Sequence, residues 1–236
     1  MKDLVSKVRC AIDTYNMIDE NDCIAVCVSG GKDSIFMLYA LNQIKKYYPK
    51  TFQLKALIID PSFEPSIDQY SELINFCNKE KIEYFLEEYS IFDVVFNVRK
   101  EKNPCSLCSK LRRGILDNCA IKLNCNKIAL GHHFDDLIET FFMNLFNNGK
   151  IDCFKPVTFL SRKKLYAIRP LILCEENEIK NFVKSKNLPI VKSSCPADKK
   201  TQRQKVKDFI KELEIDYPDL KKKIFTALKK YNKNVW

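Results

Sequence analysis

A short strand-turn-helix pattern constrains this chain more than any other feature of its sequence. The apolar run at 23–28 predicts a buried strand, and it stops at Ser29-Gly30-Gly31, which holds two of only five glycines in the chain. A helical apolar pattern then runs from about residue 33 to 47. Glycines directly after a strand let the backbone approach a ligand closely, and a helix start presents free N–H groups. The turn is therefore predicted to bind an anion.

Strand and helix patterns alternate through the first half of the chain. Further strands are predicted at 54–60, 82–88 and 127–131, with helices at about 66–80 and from the last strand through 147. This alternation predicts βαβ crossovers, and hence an α/β fold with a doubly wound parallel sheet covered on both faces. Ligands bind such sheets beyond the carboxyl ends of the strands. We therefore expect the glycine turn, Asp60 and Gly131-His132 to meet at one edge.

The last third of the chain is helical and basic. After a strand near 164–168, helices are predicted at 175–186, 202–213 and 217–231. From residue 196 onwards twelve Lys and Arg stand against six Asp and Glu, which accounts for six of the ten net positive charges. A basic surface attracts polyanions such as nucleic acid, although lysine-rich helix faces are often only solvated. We expect an α/β domain over 1–190, including an N-terminal helix, and a basic helical extension over 191–236 packed on it.

Cysteine usage and apolar runs indicate the compartment. No apolar run approaches the roughly 20 residues that span a bilayer, and the first residues lack the pattern of a secretory signal. We expect a cytoplasmic protein with no membrane partner, in which eleven cysteines do not form a disulfide framework. Six of them lie in or beside hydrophobic runs and are predicted to serve as small apolar residues: Cys23, Cys27, Cys77, Cys119, Cys125 and Cys174.

A second cysteine pattern differs from that default. Asn103-Pro104 is a good helix start, so Cys105 and Cys108 lie on one face of a first helical turn. The helix dipole and nearby basic side chains favour thiolates there, and two thiolates can ligate one metal or cluster. Cys195, in a polar loop, is the candidate third ligand. Three cysteines leave two alternatives open: an iron–sulfur cluster with one open iron, or zinc with His132 or His133 as fourth ligand.

The segment at 131–146 carries paired carboxylates at a predicted helix start. Asp135 and Asp136 are suited to capping, because the helix dipole favours negative charge at that end. The functional alternative is that Asp136, together with Asp33, holds Mg²⁺ on the phosphates of ATP, since Mg²⁺ is typically bound by one or two carboxylates plus phosphate oxygens.

The glycine turn lacks the spacing of a Walker loop and of a dinucleotide fingerprint. Ser29-Gly30-Gly31-Lys32-Asp33-Ser34 instead resembles the PP-loop of the ATP pyrophosphatases, which wraps the pyrophosphate of ATP while the enzyme adenylates its substrate. Together with "PCSLCSKLRRGI", "KIALGHHFDDLIETFFMNLFNNGK" and "IRPLILCEENEI", the loop is similar to the TtcA family of tRNA 2-thiocytidine synthetases over nearly the whole chain.

This resemblance implies a fold of the adenine nucleotide hydrolase type, a [4Fe–4S] cluster, ATP and Mg²⁺. In that family ATP activates the C2 oxygen of an anticodon-loop cytosine in tRNA, and sulfur carried on the open iron replaces it. A cysteine desulfurase or another sulfur donor and a homodimer are implied as partners. The resemblance implies cluster ligands Cys105, Cys108 and Cys195; an ATP site of Ser29, Gly30, Gly31, Lys32, Asp33, Ser34, Asp60, Gly131 and His132; catalytic residues Asp33, Asp135, Asp136 and Arg112; and RNA contacts at Arg113, Arg169, Arg203 and Lys205.

The chain departs from the best-known members of that family at one point. Their third-ligand segment has a Cys-x-x-Cys, whereas "VKSSCPAD" has one cysteine, so other target bases stay open as alternatives. The alternatives are a related PP-loop enzyme that thiolates uridine, desulfurates bases or makes lysidine, and a metal-bearing RNA-binding protein without catalysis. Lysidine synthesis needs no thiolates, so the Cys-x-x-Cys favours thiolation.

Overall fold

The computed structural model describes residues 4–60, 67–99, 104–191 and 202–231. A sheet of six strands lies at the centre, in the order β3-β2-β1-β4-β6-β5. The strands are β1 (Asp22–Val28), β2 (Phe52–Asp60), β3 (Glu83–Glu88), β4 (Lys127–Ala129), β5 (Val157–Leu160) and β6 (Leu165–Ile168).

Eight α-helices surround the sheet in the described part of the chain. They are α1 (Leu4–Thr14), α2 (Lys32–Lys45), α3 (Ser71–Lys79), α4 (Pro104–Lys122), α5 (Phe134–Asn148), α6 (Glu176–Ser185), α7 (Gln202–Asp216) and α8 (Leu220–Tyr231). A 3₁₀ turn at Ile67–Tyr70 and a π-helix at Asp93–Val98 complete the regular structure.

The predicted fold class is confirmed, with one addition. β3, β2, β1, β4 and β6 run parallel, whereas β5 pairs antiparallel with β6 at the sheet edge. The antiparallel edge strand β5 is an addition that the sequence did not predict. β5 is only four residues long, which is too short for its alternation to stand out in the sequence.

The two faces of the sheet are buried under different helices. Ile24 and Val26 of β1 face a core that includes buried residues of α1, α2, α5 and α6. Ala25 faces the other core, which α4 covers. The alternation follows from the opposite directions of successive side chains in a strand. Burial on both faces explains why the parallel strands are almost continuously apolar.

The C-terminal helices pack on α5. Phe209 of α7 contacts Phe142 edge-on, with ring centroids 5.9 Å apart, and Phe225 of α8 contacts Phe134 at 5.4 Å. Val206, Ile210 and Leu228 are buried in the same core as α2. The division into a domain over 1–190 and an extension over 191–236 stays a prediction.

Most element ends agree with the sequence patterns within a few residues. The main differences are at α3, which the 3₁₀ turn precedes, and at β4, which ends two residues earlier than predicted. In the described residues no helix combines the length and apolarity that crossing a membrane requires.

Candidate active site

Ser34 and Gly30 shape the turn between β1 and α2. The Ser34 hydroxyl accepts the N–H of Ser29 at 3.1 Å and donates to the carbonyl of Gly31 at 2.9 Å. Gly30 has a φ of +82°, and a Cβ built there would lie 2.6 Å from the Cβ of Val191. Glycine is therefore required at Gly30 by both backbone conformation and space. The turn leaves the start of α2 open to a ligand.

A cavity of about 250 Å³ opens between the turn and the end of β4. β1 lies between β2 and β4, so the strand order reverses at this point, where ligands of doubly wound sheets bind. A Cβ at Gly131 would lie 3.3 Å from the backbone nitrogen of Ser34, so the exit of β4 fits closely against α2. The lining residues are Cys27, Val28, Ser29, Asp33, Ser34, Ile59, Arg112, Leu116, Leu130, Gly131 and His132.

His133 lies between Asp33 and Asp136, the two aspartates that the sequence predicts to bind magnesium. The ring Nδ1 of His133 accepts the backbone N–H of Asp136 at 3.3 Å, and the backbone N–H of His133 donates to Asp136 Oδ2 at 3.0 Å. These two hydrogen bonds form a capping box at the start of α5. A neutral ring whose Nδ1 accepts carries its proton on Nε2. Nε2 faces Asp136 at 3.4 Å and Asp33 at 3.8 Å.

Asp33 and Asp136 differ in what their carboxylates contact. Asp136 accepts the backbone of His133 and also Arg203 Nη1, at 2.5 Å, so both of its oxygens are engaged. Asp33 Oδ1 is buried and accepts no hydrogen bond from any described residue. Asp33 thus offers the better ligand oxygen for a cation, and a magnesium ion shared with Asp136 stays a prediction.

His132 lines the cavity as a neutral base. Burial, with help from Arg169, lowers the pKa of His132 to about 4, although Asp136 acts in the opposite direction. Its Nδ1 is buried without a hydrogen-bond partner among the described residues, and the ring packs on Phe154 with centroids 5.0 Å apart. A buried polar atom of this kind is suited to a hydrogen bond with a bound ligand.

Glu176, at the start of α6, is a site residue that the sequence analysis missed. Its Oε1 lies 3.1 Å from Lys32 Nζ, and its Oε2 pairs with Lys207 of α7. Lys32 also contacts Asp33 at 2.9 Å. Partial burial acts to raise the pKa of Glu176, but Lys207 and Lys32 lower it to about 2. The only local signal was the run of acidic residues at a helix start, which is typical of capping.

Cys27 is a second residue whose role the sequence did not indicate. It is half-buried and lines the cavity, so it is more than the small apolar residue that its strand suggested. Burial is the main cause that raises the pKa of Cys27 to about 12, with Arg113 acting against it. The side chain is therefore a neutral thiol at physiological pH. Cys77, Cys119, Cys125 and Cys174 are buried as predicted, and Cys23 is half-buried.

Cys105 and Cys108 stand on the first turn of α4, as predicted. Cys105 is exposed and Cys108 half-buried, and both are reduced thiols. Arg112, one turn beyond Cys108 on α4, lines the cavity, so α4 and the glycine turn adjoin the same space, although neither thiol is among the lining residues. The described residues hold no group of three metal-ligating side chains. Cys195 lies outside the described residues.

The four residues predicted to contact RNA differ in their exposure and ion pairing. Arg169 is only 8% exposed, and its Nη1 donates to the carbonyl of Lys155 at 2.6 Å and to Thr158 at 3.1 Å. The buried side chain connects the end of β6 to β5 and to the segment entering it, and its contact with RNA stays a prediction. Arg113 is half-buried and pairs with Asp117 at 2.9 Å.

Arg203 and Lys205, at the start of α7, differ in the same way. Arg203 contacts Asp136 and also Glu139, whose Oε2 lies 3.3 Å away, so two carboxylates balance its charge. Lys205 is exposed. Of the four predicted contacts, Lys205 is the one that presents an exposed cation.

Asp60 and Asp135 lie near the cavity without lining it. Asp60 is buried at the end of β2 and accepts Gln69 Nε2 at 3.3 Å. Asp135 accepts the backbone N–H of Glu176 at 2.7 Å and pairs with Lys221 of α8 at 3.0 Å. Asp135 therefore joins α5, α6 and α8, and its predicted catalytic role stays a prediction.

Comparison with known proteins gives consistent matches. A family model described as a PP-loop domain matches residues 4–213. The tRNA-cytidine(32) 2-sulfurtransferases of Ralstonia pickettii and Yersinia pestis are each 38% identical to this chain, over 96% of it and 72% of their own length. The U34-tRNA thiolase NcsA from Methanococcus maripaludis, solved with its [4Fe-4S] cluster, superposes with a TM-score of 0.79 at 26% identity, over 99% of this chain and 80% of that one.

A more distant structure shares the fold. The NH3-dependent NAD synthetase from Campylobacter jejuni superposes with a TM-score of 0.53 at 17% identity, over 98% of this chain and 93% of that one.

The sheet order, the glycine turn and the matching family model define the class: the chain is a PP-loop domain protein. At 38% identity over 96% of its length, it belongs to the family of the tRNA-cytidine(32) 2-sulfurtransferases. The resemblance to the TtcA family is thereby confirmed.

Proposed function

We propose that the protein is an ATP-dependent tRNA sulfurtransferase that adenylates the C2 oxygen of an anticodon-loop cytosine and replaces that oxygen with sulfur. The observation that carries this proposal is the cavity at the strand-order reversal, which the glycine turn and Arg112 both line. Cys108 precedes Arg112 by one helical turn. The glycine turn and the helix that carries the two thiols therefore adjoin one space. The relatives are tRNA-cytidine(32) 2-sulfurtransferases, which supports base 32 of tRNA as the target.

The turn is suited to holding the pyrophosphate of ATP. The N-terminus of α2 directs its unpaired N–H groups and its positive dipole end towards the cavity side of the turn. A Cβ at Gly30 would meet the side chain of Val191, and a Cβ at Gly131 would meet the backbone at the start of α2. Arg112 adds a permanent positive charge on the opposite wall. Asp33 Oδ1 is the oxygen that we propose for Mg²⁺ on the phosphates.

Adenylation turns a poor leaving group into a good one. The C2 oxygen of the base attacks the α-phosphorus and pyrophosphate departs, after which a sulfur nucleophile adds at C2 and AMP leaves. His132 is neutral at physiological pH and has an unpartnered ring nitrogen, so it can hydrogen-bond the reacting base without competing for the phosphates by charge.

The two thiols on α4 are suited to holding an iron–sulfur cofactor. Cys105 and Cys108 are accessible on the first turn of α4, where the helix dipole favours thiolates. We propose Cys105, Cys108 and Cys195 as the ligands of a [4Fe–4S] cluster. Such a cluster would supply a site at which sulfur is held for transfer. The same function requires a sulfur donor, such as a cysteine desulfurase, and a cytoplasmic location; the homodimer stays a prediction.

The C-terminal helices are suited to contact with tRNA. Lys205 of α7 and three lysines of α8 are exposed on the surface: Lys222, Lys223 and Lys230. Basic side chains of this kind neutralise phosphates, while the base to be modified enters the cavity from a single-stranded loop.

Iron analysis tests the thiol assignment. After anaerobic purification, we expect about four iron and four sulfide per wild-type chain, and large losses in Cys108→Ser and Cys195→Ser. Cys10→Ser is the matched control, because Cys10 is an exposed cysteine on α1. A colourless wild-type protein that contains only zinc would overturn the cluster and favour the RNA-binding alternative.

Activity with tRNA tests the reaction itself. We expect AMP release that depends on tRNA and a sulfur source, together with 2-thiocytidine in the digested product. Thiolated uridine in place of 2-thiocytidine would refute the cytosine assignment while preserving the reaction class. No AMP release with any tRNA would refute the enzyme function.

A further inference from the structure

One carboxylate is shared between the glycine turn and the C-terminal helix α7. Glu176 contacts Lys32 through Oε1 at 3.1 Å and Lys207 through Oε2. All three side chains are between 24% and 31% exposed, so these ion pairs are only partly screened by water. Lys32 is the first residue of α2, and Lys207 lies in the second turn of α7.

A contact with α5 holds the backbone of Glu176 in place. Its backbone N–H donates to Asp135 Oδ2 at 2.7 Å, and Asp135 also pairs with Lys221 of α8. Lys207 and Lys32 keep Glu176 ionised by lowering its pKa to about 2, against the effect of partial burial. The carboxylate is therefore charged at physiological pH, and each of its two oxygens contacts a lysine from a different part of the chain.

We propose that Glu176 is a positioning residue that couples the binding of ATP at the glycine turn to the docking of α7. The proposal rests on the ATP site described under the proposed function, and it adds a linkage between that site and the C-terminal helices.

The direction of the coupling follows from the charges. Without nucleotide, Lys32 is neutralised by Asp33 at 2.9 Å and by Glu176. A triphosphate at the turn offers Lys32 stronger acceptors and repels both carboxylates. When Lys32 turns to the phosphates, Glu176 is left to Lys207 alone, so ATP strengthens the contact between α6 and α7.

Linkage makes the effect reciprocal. If ATP binding strengthens the docking of α7, then a docked α7 must favour ATP binding by the same factor. Arg203, the second residue of α7, pairs with Asp136 and Glu139 of α5, so α7 also contacts the helix that follows the cavity-lining residue His132. Glu176 thus couples nucleotide binding at the glycine turn to the basic surface that we propose for RNA.

Calorimetric titration of the anaerobically purified full-length chain with ATP and Mg²⁺ tests the signs. Glu176→Gln removes the carboxylate that competes for Lys32, so ATP should bind about two- to fivefold more tightly, the range expected of part-exposed ion pairs. Lys207→Met leaves Glu176 to Lys32 alone, so ATP should bind more weakly by a similar factor. Lys211→Met is the matched control: it removes the same charge from an exposed position on α7 and should change the affinity little.

The double variant separates coupling from simple charge loss. Because Lys207 acts through Glu176, Glu176→Gln with Lys207→Met should bind ATP as Glu176→Gln does. Hydrogen exchange provides a second measurement: ATP should slow amide exchange in α7 of the wild type, and the slowing should disappear in Glu176→Gln.

The outcomes distinguish this proposal from the proposed function. ATP binding by the wild type with unchanged or weakened binding by Glu176→Gln would overturn the coupling and preserve the ATP site. Additive effects in the double variant would also overturn it. Absence of ATP binding by the wild type would overturn both.

Discussion

Gly30→Ala is the substitution for which the structure makes the sharpest stability prediction. Gly30 combines a positive φ of +82° with a neighbour that leaves no room for a side chain. A Cβ would lie 2.6 Å from Val191 Cβ, and Val191 is held in place because its N–H donates to the carbonyl of Gly30 at 3.0 Å. Neither residue can move without breaking that hydrogen bond.

The cost has two parts. Placing an alanine in the left-handed region costs about 1–2 kcal/mol. Overpacking against a β-branched side chain typically costs about 1–3 kcal/mol. We therefore expect a loss of about 3 kcal/mol in the free energy of unfolding, which corresponds to a fall in Tm of roughly 6–12 °C for a chain of this length.

Thermal unfolding followed by circular dichroism measures this loss, and two variants separate its parts. Gly149→Ala has the same kind of strain, at a φ of +59°, but its Cβ would meet nothing within 4 Å. It should cost only the backbone term of about 1–2 kcal/mol. Gly30→Ala with Val191→Gly removes the clashing Cβ of residue 191 and should recover the steric term, measured relative to Val191→Gly alone.

Equal stability of Gly30→Ala and Gly149→Ala would refute the reasoning, because the contact with Val191 would then have no energetic consequence. The reasoning would also be refuted if the double variant lost as much unfolding free energy as the two single variants lose together.

Four further substitutions have expected outcomes. Burial, with Asp136 adding, raises the pKa of Glu139 to about 7 from 4.5, so this group makes stability fall as pH rises between those values. Glu139→Gln removes this effect, so the unfolding free energy at pH 8 relative to that at pH 4 should be higher in the variant than in the wild type by on the order of 2–3 kcal/mol. Urea unfolding at the two pH values measures this difference, and an unchanged pH dependence would contradict the prediction. His133→Ala removes the α5 cap and should lower the unfolding free energy by about 1 kcal/mol, which thermal unfolding can detect. Lys127→Met leaves buried Asp22 without its ion pair and should cost about 3–5 kcal/mol in urea unfolding. Arg112→Met should weaken ATP binding at least several-fold in calorimetry without lowering Tm, since its charge faces the cavity.

The sequence predicted the elements whose signals are local. The buried strand before Ser29 and the helix after the glycine turn both depend on residues close together in the chain. The alternation of strands and helices then restricts the topology to a few arrangements, because βαβ crossovers are right-handed. Cys105 and Cys108 were found in the same way, since their spacing places them on one helical turn.

Exposure and ion pairing could not be predicted from the sequence. Arg169 looked like a surface cation, but it is buried against the segment that enters β5, a strand that the sequence did not reveal. Arg203 looked like an RNA contact, but its charge is balanced by carboxylates on α5. Which charges meet depends on how distant elements pack, and a single sequence carries no record of that packing.

By itself, then, the sequence determined the strand-turn-helix that is suited to holding phosphates and the family to which the chain belongs. These depend on backbone conformation and on side-chain periodicity, which neighbouring residues impose. Only the tertiary structure decided that Glu176 joins Lys32 to Lys207 and that Cys27 lines the cavity. Those contacts exist because α6 and α7 pack beside the glycine turn, and at separations of a few ångströms charge and burial, rather than sequence order, select the partners.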